Sequence, residues 1–251
     1  MILQAAIGWT RPEHKIDYLC GGSLISRKFL ITAAHCNADG NNIGPDTVRV
    51  GDTNLESPED DDSAQQIGIA RFIKHPKYRD SRNYFDIAII ELQKEVAYSR
   101  AVCSACLWRE EEVPREKMDA IGFGATGFGE ALSPVLQRIE LAALDERDCT
   151  GKIPVNRRLR SDGLRKDQFC ATGTSVDNCE GDSGGPIGVR RLGIWGSVYN
   201  FVVGIVSFGT PCAPGSTGVY TKVSAWIVWT GSRVDWIEQV TNSSFGYTGI
   251  I

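Results

Sequence analysis

Short runs of valine, isoleucine and phenylalanine recur along the chain, and glycine or polar turns punctuate most of them. The runs "GGSLI" (21–25), "FLITAA" (29–34), "TVRVG" (47–51), "DIAIIEL" (86–92) and "NFVVGIVSFG" (200–209) each read as a strand. Long amphipathic helices are scarce, and the best helical stretch is "VDWIEQV" at 234–240. Many short strands with frequent turns predict an antiparallel barrel or sandwich, not alternating βαβ units. The polar segment "WREEEVPREK" at 108–117 contains Pro114 and divides the chain near its middle, so it reads as a linker. No repeat or low-complexity tract breaks the pattern.

Composition narrows the class. A chain of 251 residues suits one large domain or two small ones and can bury a sizeable core. A net charge of -4 and a pI of about 5.5 give no reason to expect nucleic acid as a partner. No apolar run approaches the roughly 18 residues of a membrane helix, so no membrane partner is expected. The acidic run Glu59-Asp60-Asp61-Asp62 reads as a solvated loop. The 8 cysteines at scattered spacings point to an oxidising, extracellular setting. Yet "MILQAAIGW" has no basic start, and its apolar run stops at Arg11, so it does not read as a signal peptide.

The stretch "NCEGDSGGP" at 178–186 holds the candidate nucleophile, Ser183. Gly181-Asp182-Ser183-Gly184-Gly185 also fits G-x-S-x-G, the nucleophile elbow of α/β-hydrolases. Those enzymes place histidine after serine, but the 3 histidines here, His14, His35 and His75, all precede Ser183. The subtilisin order needs aspartate before histidine, and only Asp17 precedes His35. The surviving order is histidine, aspartate, serine. His14 lies in the polar run "RPEHK" and is expected at the surface. His75 precedes Pro76, which biases it towards an extended surface turn. His35 ends "FLITAAHC" and is the favoured base. Asp86 heads a strand that reads as buried, where a carboxylate needs a partner such as an imidazole.

Three segments, Ile31-Thr32-Ala33-Ala34-His35-Cys36, "DIAII" at 86–90 and "GDSGGP" at 181–186, resemble the signature segments of the trypsin-like (chymotrypsin-fold) serine proteases. The resemblance runs from about Ala5 to Val240. It implies an all-β fold of two six-stranded antiparallel Greek-key β-barrels with a short C-terminal helix. The barrels would span approximately 1–112 and 113–251, with the active site between them. His35 is then the general base, Asp86 its orienting partner and Ser183 the nucleophile. The N–H groups of Gly181 and Ser183 would form the oxyanion hole. Asp177 resembles the base of a pocket for arginine or lysine, and Gly209 and Gly218 resemble its walls. Ser207, Phe208 and Gly209 would pair with the substrate backbone.

The resemblance also implies the bridges Cys20–Cys36, Cys149–Cys170 and Cys179–Cys212. Cys106 matches a cysteine that tethers the protease to its pro-region, while Cys103 either pairs locally or remains free. A zinc or redox site at C-x-x-C lacks a second pair of ligands. No cofactor is expected, although the loop from Asp52 to Asp62 overlaps a region where relatives bind calcium. Asn242-Ser243-Ser244 is a glycosylation sequon.

Departures from the family pattern also carry expectations. Family members are zymogens, and a freed N-terminal ammonium docks beside the aspartate preceding the serine, here Asp182. No such N-terminal stretch is present, and "WIVWTGSR" at 226–233 intervenes before the terminal helix. Both departures, with the missing signal peptide, are expected of an incomplete or mispredicted gene model, with a signal, a pro-region and an activation site encoded upstream. "DYLCGGSLIS", "QQIGIARFIKHPKY" and "ACLW" look most like catalytic domains of arthropod clip-domain proteases of the snake type. The leading expectation is a secreted serine endopeptidase from an extracellular cascade, with protein substrates and serpin-type inhibitors as partners. The alternative is a non-catalytic homologue, or an inert truncated product, acting only as a binding protein.

Overall fold

The computed structural model describes residues 4–58, 62–154, 159, 163–173, 179, 181–193, 196–212, 215–227 and 236–242. Strands β1 (Gln4–Thr10), β2 (Ile16–Leu24), β3 (Phe29–Thr32), β4 (Thr47–Val50), β5 (Gln65–Lys74) and β6 (Ala88–Leu92) close a barrel in the order β1-β2-β3-β6-β5-β4. Each pairing in it is antiparallel. Closure leaves no strand edge unpaired, which is how small all-β units protect their edges.

The second half carries β7 (Cys106–Leu107), β8 (Met118–Gly122), β9 (Gln137–Ala143), helix α1 (Glu146–Lys152), β10 (Gln168–Thr172), β11 (Pro186–Leu192), β12 (Val198–Gly209), β13 (Gly218–Lys222) and helix α2 (Trp236–Thr241). Strand β11 pairs with both β8 and β12, so β8-β9-β10-β13-β12-β11 forms a second ring. Strand β7 adds a short parallel pairing to β12. The architecture is thus the expected pair of six-stranded antiparallel barrels with a short C-terminal helix.

Burial follows the sequence pattern where that pattern is strong. Successive residues of a strand face opposite sides. Ile89 and Ile90 of β6 are both fully buried, so both faces of this strand are covered. Trp9, Leu24, Ile31 and Val48 fill the same core, each side chain contributing roughly 1.5–3 kcal/mol. This core continues into the second half through Val202, Ile205, Val223 and Ile237, which joins the barrels. Met118, Leu141, Ile187 and Val203 fill the other barrel, where the rings of Phe169 and Tyr220 stack 5.3 Å apart.

Two sequence expectations need correction. The segment 108–117 is no free linker: Trp108 is buried in the second core, and its indole N–H donates to the Glu112 carbonyl at 3.0 Å. His75 is not a surface residue but only 8% exposed. It does precede a turn, yet its ring faces inward against Phe85, Trp226 and Trp236. Helix α1 had no expected counterpart. Its signal was the Asp145 cap, whose side chain accepts the Asp148 N–H at 2.8 Å. The acidic residues 59–61 and most of 226–233 lie outside the described residues, as do Ser243 and Ser244 of the sequon.

Candidate active site

His35 sits on a 3-10 turn, Ala34–Asn37, that follows β3. Ala34 and Cys36 on either side are buried, while the His35 side chain is about one-third exposed at 32%. Asp86 lies two residues ahead of β6 and is 3% exposed. The pairing of β3 with β6, Thr32 opposite Ala88, brings the two loop ends together.

The contact is two-pronged. The His35 backbone N–H donates to Asp86 Oδ1 at 2.9 Å, and His35 Nδ1 lies 2.7 Å from Asp86 Oδ2. Burial alone would raise the Asp86 pKa. The His35 charge and the hydrogen bonds from His35 and Ser207 outweigh it, and the carboxyl sits below its ordinary range. Facing an ionised carboxylate, Nδ1 carries the ring proton and Nε2 is left as the basic nitrogen.

Ser207 is the residue whose role the sequence reading missed. Its hydroxyl donates to Asp86 Oδ2. The register of β12 against β13 shifts between Val206 and Phe208, so Ser207 is the extra residue of a bulge. A bulge breaks the strict alternation and re-aims one side chain. The legible signal was a lone hydroxyl inside the apolar run "VVGIVSFG". Thr221 completes the cage by donating its hydroxyl to the Asp86 carbonyl at 2.9 Å.

Ser183 lies on the turn leading into β11. Its carbonyl accepts the Gly21 N–H of β2 at 2.7 Å, which docks the turn on the first barrel. The same carbonyl is 3.5 Å from Cys36 Sγ, and the sulfurs of Cys20 and Cys36 lie within 4.8 Å of a His35 ring nitrogen. Those sulfurs are joined to each other, so they offer no thiolate to a metal. The Ser183 hydroxyl makes no hydrogen bond with a described residue.

The turn geometry explains its glycines. Gly181 takes φ +91° and Gly184 φ +78°, both in the left-handed region. A methyl group on Gly184 would lie 2.1 Å from Thr32 Oγ1, so the barrels meet here at backbone distance. The N–H groups of Asp182, Gly184 and Gly185 donate to Cys179, Val206 and Asp182 carbonyls. Those of Gly181 and Ser183 find no acceptor among the described residues. Asp182 is buried, and its carboxylate accepts the Gly124 and Cys179 N–H groups, each at 2.9 Å.

A cleft of about 350 Å³ opens beside Ser183, bordered by Phe208, Gly209 and Gly218. Phe128 stands at its rim, 75% exposed. A side chain at Gly209 would lie 2.8 Å from the Thr217 carbonyl, and one at Gly218 would lie 2.7 Å from the Tyr220 hydroxyl. Asp177, expected at the base, lies outside the described residues. The bridges Cys20–Cys36, Cys149–Cys170 and Cys179–Cys212 are all present, and Cys103 and Cys106 remain half-buried thiols. Asp52, in the loop considered for calcium, pairs with Arg49 and accepts the Asn54 N–H at 2.8 Å.

The family model for trypsin matches residues 3–230. Serine protease snk of Drosophila melanogaster is 39% identical over 246 residues, an alignment covering 94% of this chain and 53% of that protein. CLIP domain-containing serine protease B4 of Anopheles gambiae is 33% identical over 241 residues, covering 90% and 64%. Phenoloxidase-activating factor 1 of Holotrichia diomphalia is 32% identical over 255 residues, covering 93% and 65%. The chain therefore spans about half to two thirds of the length of these relatives.

Proposed function

The chain belongs to the trypsin family of serine proteases, and we propose that it is the catalytic domain of a secreted endopeptidase cleaving after arginine or lysine. The observation that carries this reading is the two-pronged hold of Asp86 on His35, beside the cleft that Ser183 borders. Ser183 Oγ attacks the scissile carbonyl carbon and passes its proton to His35 Nε2. The negative oxygen that forms is held by the Gly181 and Ser183 N–H groups, a role supported by their finding no acceptor among the described residues. Removing one such donor typically costs roughly 10²–10³ in rate. His35 then protonates the leaving amine, and water attacks the acyl-enzyme with His35 again as base. Asp86 stabilises the imidazolium at each stage.

The arginine or lysine side chain enters the cleft between Gly209 and Gly218, with Asp177 binding its cation. The substrate backbone lies along Ser207-Phe208-Gly209 as an added strand. An ammonium freed by cleavage of a precursor docks at Asp182 and fixes the Gly181 turn in its donating form. Cys106 tethers the pro-region, serpin-type proteins act as inhibitors, and the enzyme works in an extracellular cascade. The relatives, a CLIP domain-containing serine protease and a phenoloxidase-activating factor among them, support that setting.

An organophosphate-type probe tests the reading. The processed full-length protein labels on Ser183, and Ser183→Ala does not. A processed protein that stays unlabelled belongs instead with the non-catalytic homologues.

A further inference from the structure

Phe85, the residue before Asp86, has φ +58°. A bulky side chain is rarely found in the left-handed region, and it persists there only where its surroundings hold it. The turn is tight: the Ile87 N–H donates to the Phe85 carbonyl at 2.9 Å. Asp86 is the middle residue of that turn, so the backbone of Phe85 sets the direction from which its carboxylate leaves.

What holds Phe85 is an aromatic box. Its ring stacks on His75 with centroids 5.4 Å apart and planes within 6° of parallel. Trp226 lies 4.7 Å from His75 and 5.9 Å from Phe85, and Trp236 lies 5.1 Å from His75. The Arg165 guanidinium sits 4.6 Å from the Phe85 ring centre and the Lys77 ammonium 5.7 Å from it. His75 is itself fixed at several points. Its N–H donates to the Ile87 carbonyl at 3.0 Å, and its carbonyl accepts the Tyr78 N–H at 2.9 Å. Its Nδ1 accepts the Lys77 N–H at 3.2 Å, which requires the neutral ring. The same backbone contact therefore ties His75 to the Asp86 turn that its ring supports.

We propose that His75 is a positioning residue: its ring, boxed by Trp226 and Trp236, keeps Phe85 in the left-handed turn and so aims Asp86 at His35. The proposal rests on the reading of Asp86 and His35 as catalytic partners. A residue that merely filled the core would have no such link to the direction of the carboxylate. The walls of the box come from the end of β5, from the turn after β13 and from α2, so the C-terminal segment reaches the catalytic aspartate through these rings.

The test compares His75→Ala and His75→Phe in the full-length, processed protein. One readout is the far-downfield proton resonance of the His35–Asp86 hydrogen bond, which needs no turnover. The other is the kcat against KM split on an arginine amide. His75→Ala is expected to broaden or lose the resonance and to lower kcat about tenfold with KM unchanged. His75→Phe, which keeps the stack, stays within about twofold on both. A glycine at 85 accepts the left-handed turn unaided, so His75→Ala added to Phe85→Gly causes no further loss. Should His75→Ala fail to fold, Trp236→Leu removes one wall and should weaken the resonance. The proposal is overturned if folded His75→Ala keeps both readouts, if His75→Phe loses as much as alanine, or if Trp236→Leu leaves the resonance intact. Failure of the catalytic reading is separate: it appears as absent Ser183 labelling in the unsubstituted protein.

Discussion

Ser207 and His35 meet on one oxygen atom, Oδ2 of Asp86, although the serine comes from a bulge in the second barrel and the histidine from a turn in the first. The other oxygen takes the His35 backbone N–H. The buried carboxylate is thereby satisfied from both barrels, and its pairing depends on how the barrels dock.

Replacing Ser207 by alanine removes one hydrogen bond to a buried charge, worth roughly 1.5–3 kcal/mol. If about half of that is felt in the transition state, kcat falls roughly 4- to 13-fold. KM should move little, because the backbone of the strand remains. Steady-state kinetics on an arginine amide measures this, and a kcat within twofold of the parent would remove Ser207 from the catalytic cage.

Asp177→Ser leaves the cleft without its proposed anion. Cleavage after arginine or lysine should drop by about 10³-fold or more in kcat/KM, as expected when a charged partner is left unpaired. Profiling with a mixed peptide library gives the answer. An unchanged preference for basic residues would put the cation-binding group elsewhere.

Gly184→Ala meets two obstacles together, the φ of +78° and the Thr32 Oγ1 atom at 2.1 Å. Gly129 has a similar φ of +73° but nothing within 4 Å, so Gly129→Ala isolates the backbone effect. That effect should be about 1–2 kcal/mol, and Gly184→Ala should exceed it by about 1–3 kcal/mol. Urea midpoints for the two variants test the difference, and equal losses would show that the barrel contact yields freely.

Burial and the nearby Lys77 hold the His75 pKa down to about 4, against 6.5 ordinarily, while Asp167 opposes them. The unfolded chain therefore takes up a proton below pH 6.5 that the folded chain refuses until about pH 4. Stability should fall as pH drops through this window, by about 3 kcal/mol at the most. Asp86 adds a further loss only at lower pH, because its folded pKa lies below the carboxylate range. Denaturation at pH 7 and pH 4.5 should show the first loss in the parent and not in His75→Phe. The same loss in both would assign it to other groups.

Much of this molecule was legible early because it is written locally. The run "DIAIIEL" announced a buried strand headed by a charge, and Asp86 is buried and paired. The terminal helix was expected at 234–240 and is found at Trp236–Thr241, with Val234 and Asp235 outside the described residues. Strands β1, β5, β7, β8, β9, β10, β11 and β13 were not picked out. In β5 and β9 burial is mixed, so neither carries the continuous buried run that marks β6.

The sequence by itself determined the order of His35, Asp86 and Ser183, and with it which hydrolase arrangements were open to the chain. Chain order survives folding unchanged, so it excludes topologies without any knowledge of contacts. The direction of a side chain is different. Ser207 lies 121 residues from Asp86, and its hydroxyl reaches the carboxylate because a bulge shifts the phase of β12 by one residue. His75 is drawn inward by tryptophans that follow the last strand of the second barrel. Alternation and turn preference act over a few residues and give the faces of each strand. Only the docking of distant elements sets which atom a side chain meets, and that was decided by the tertiary structure.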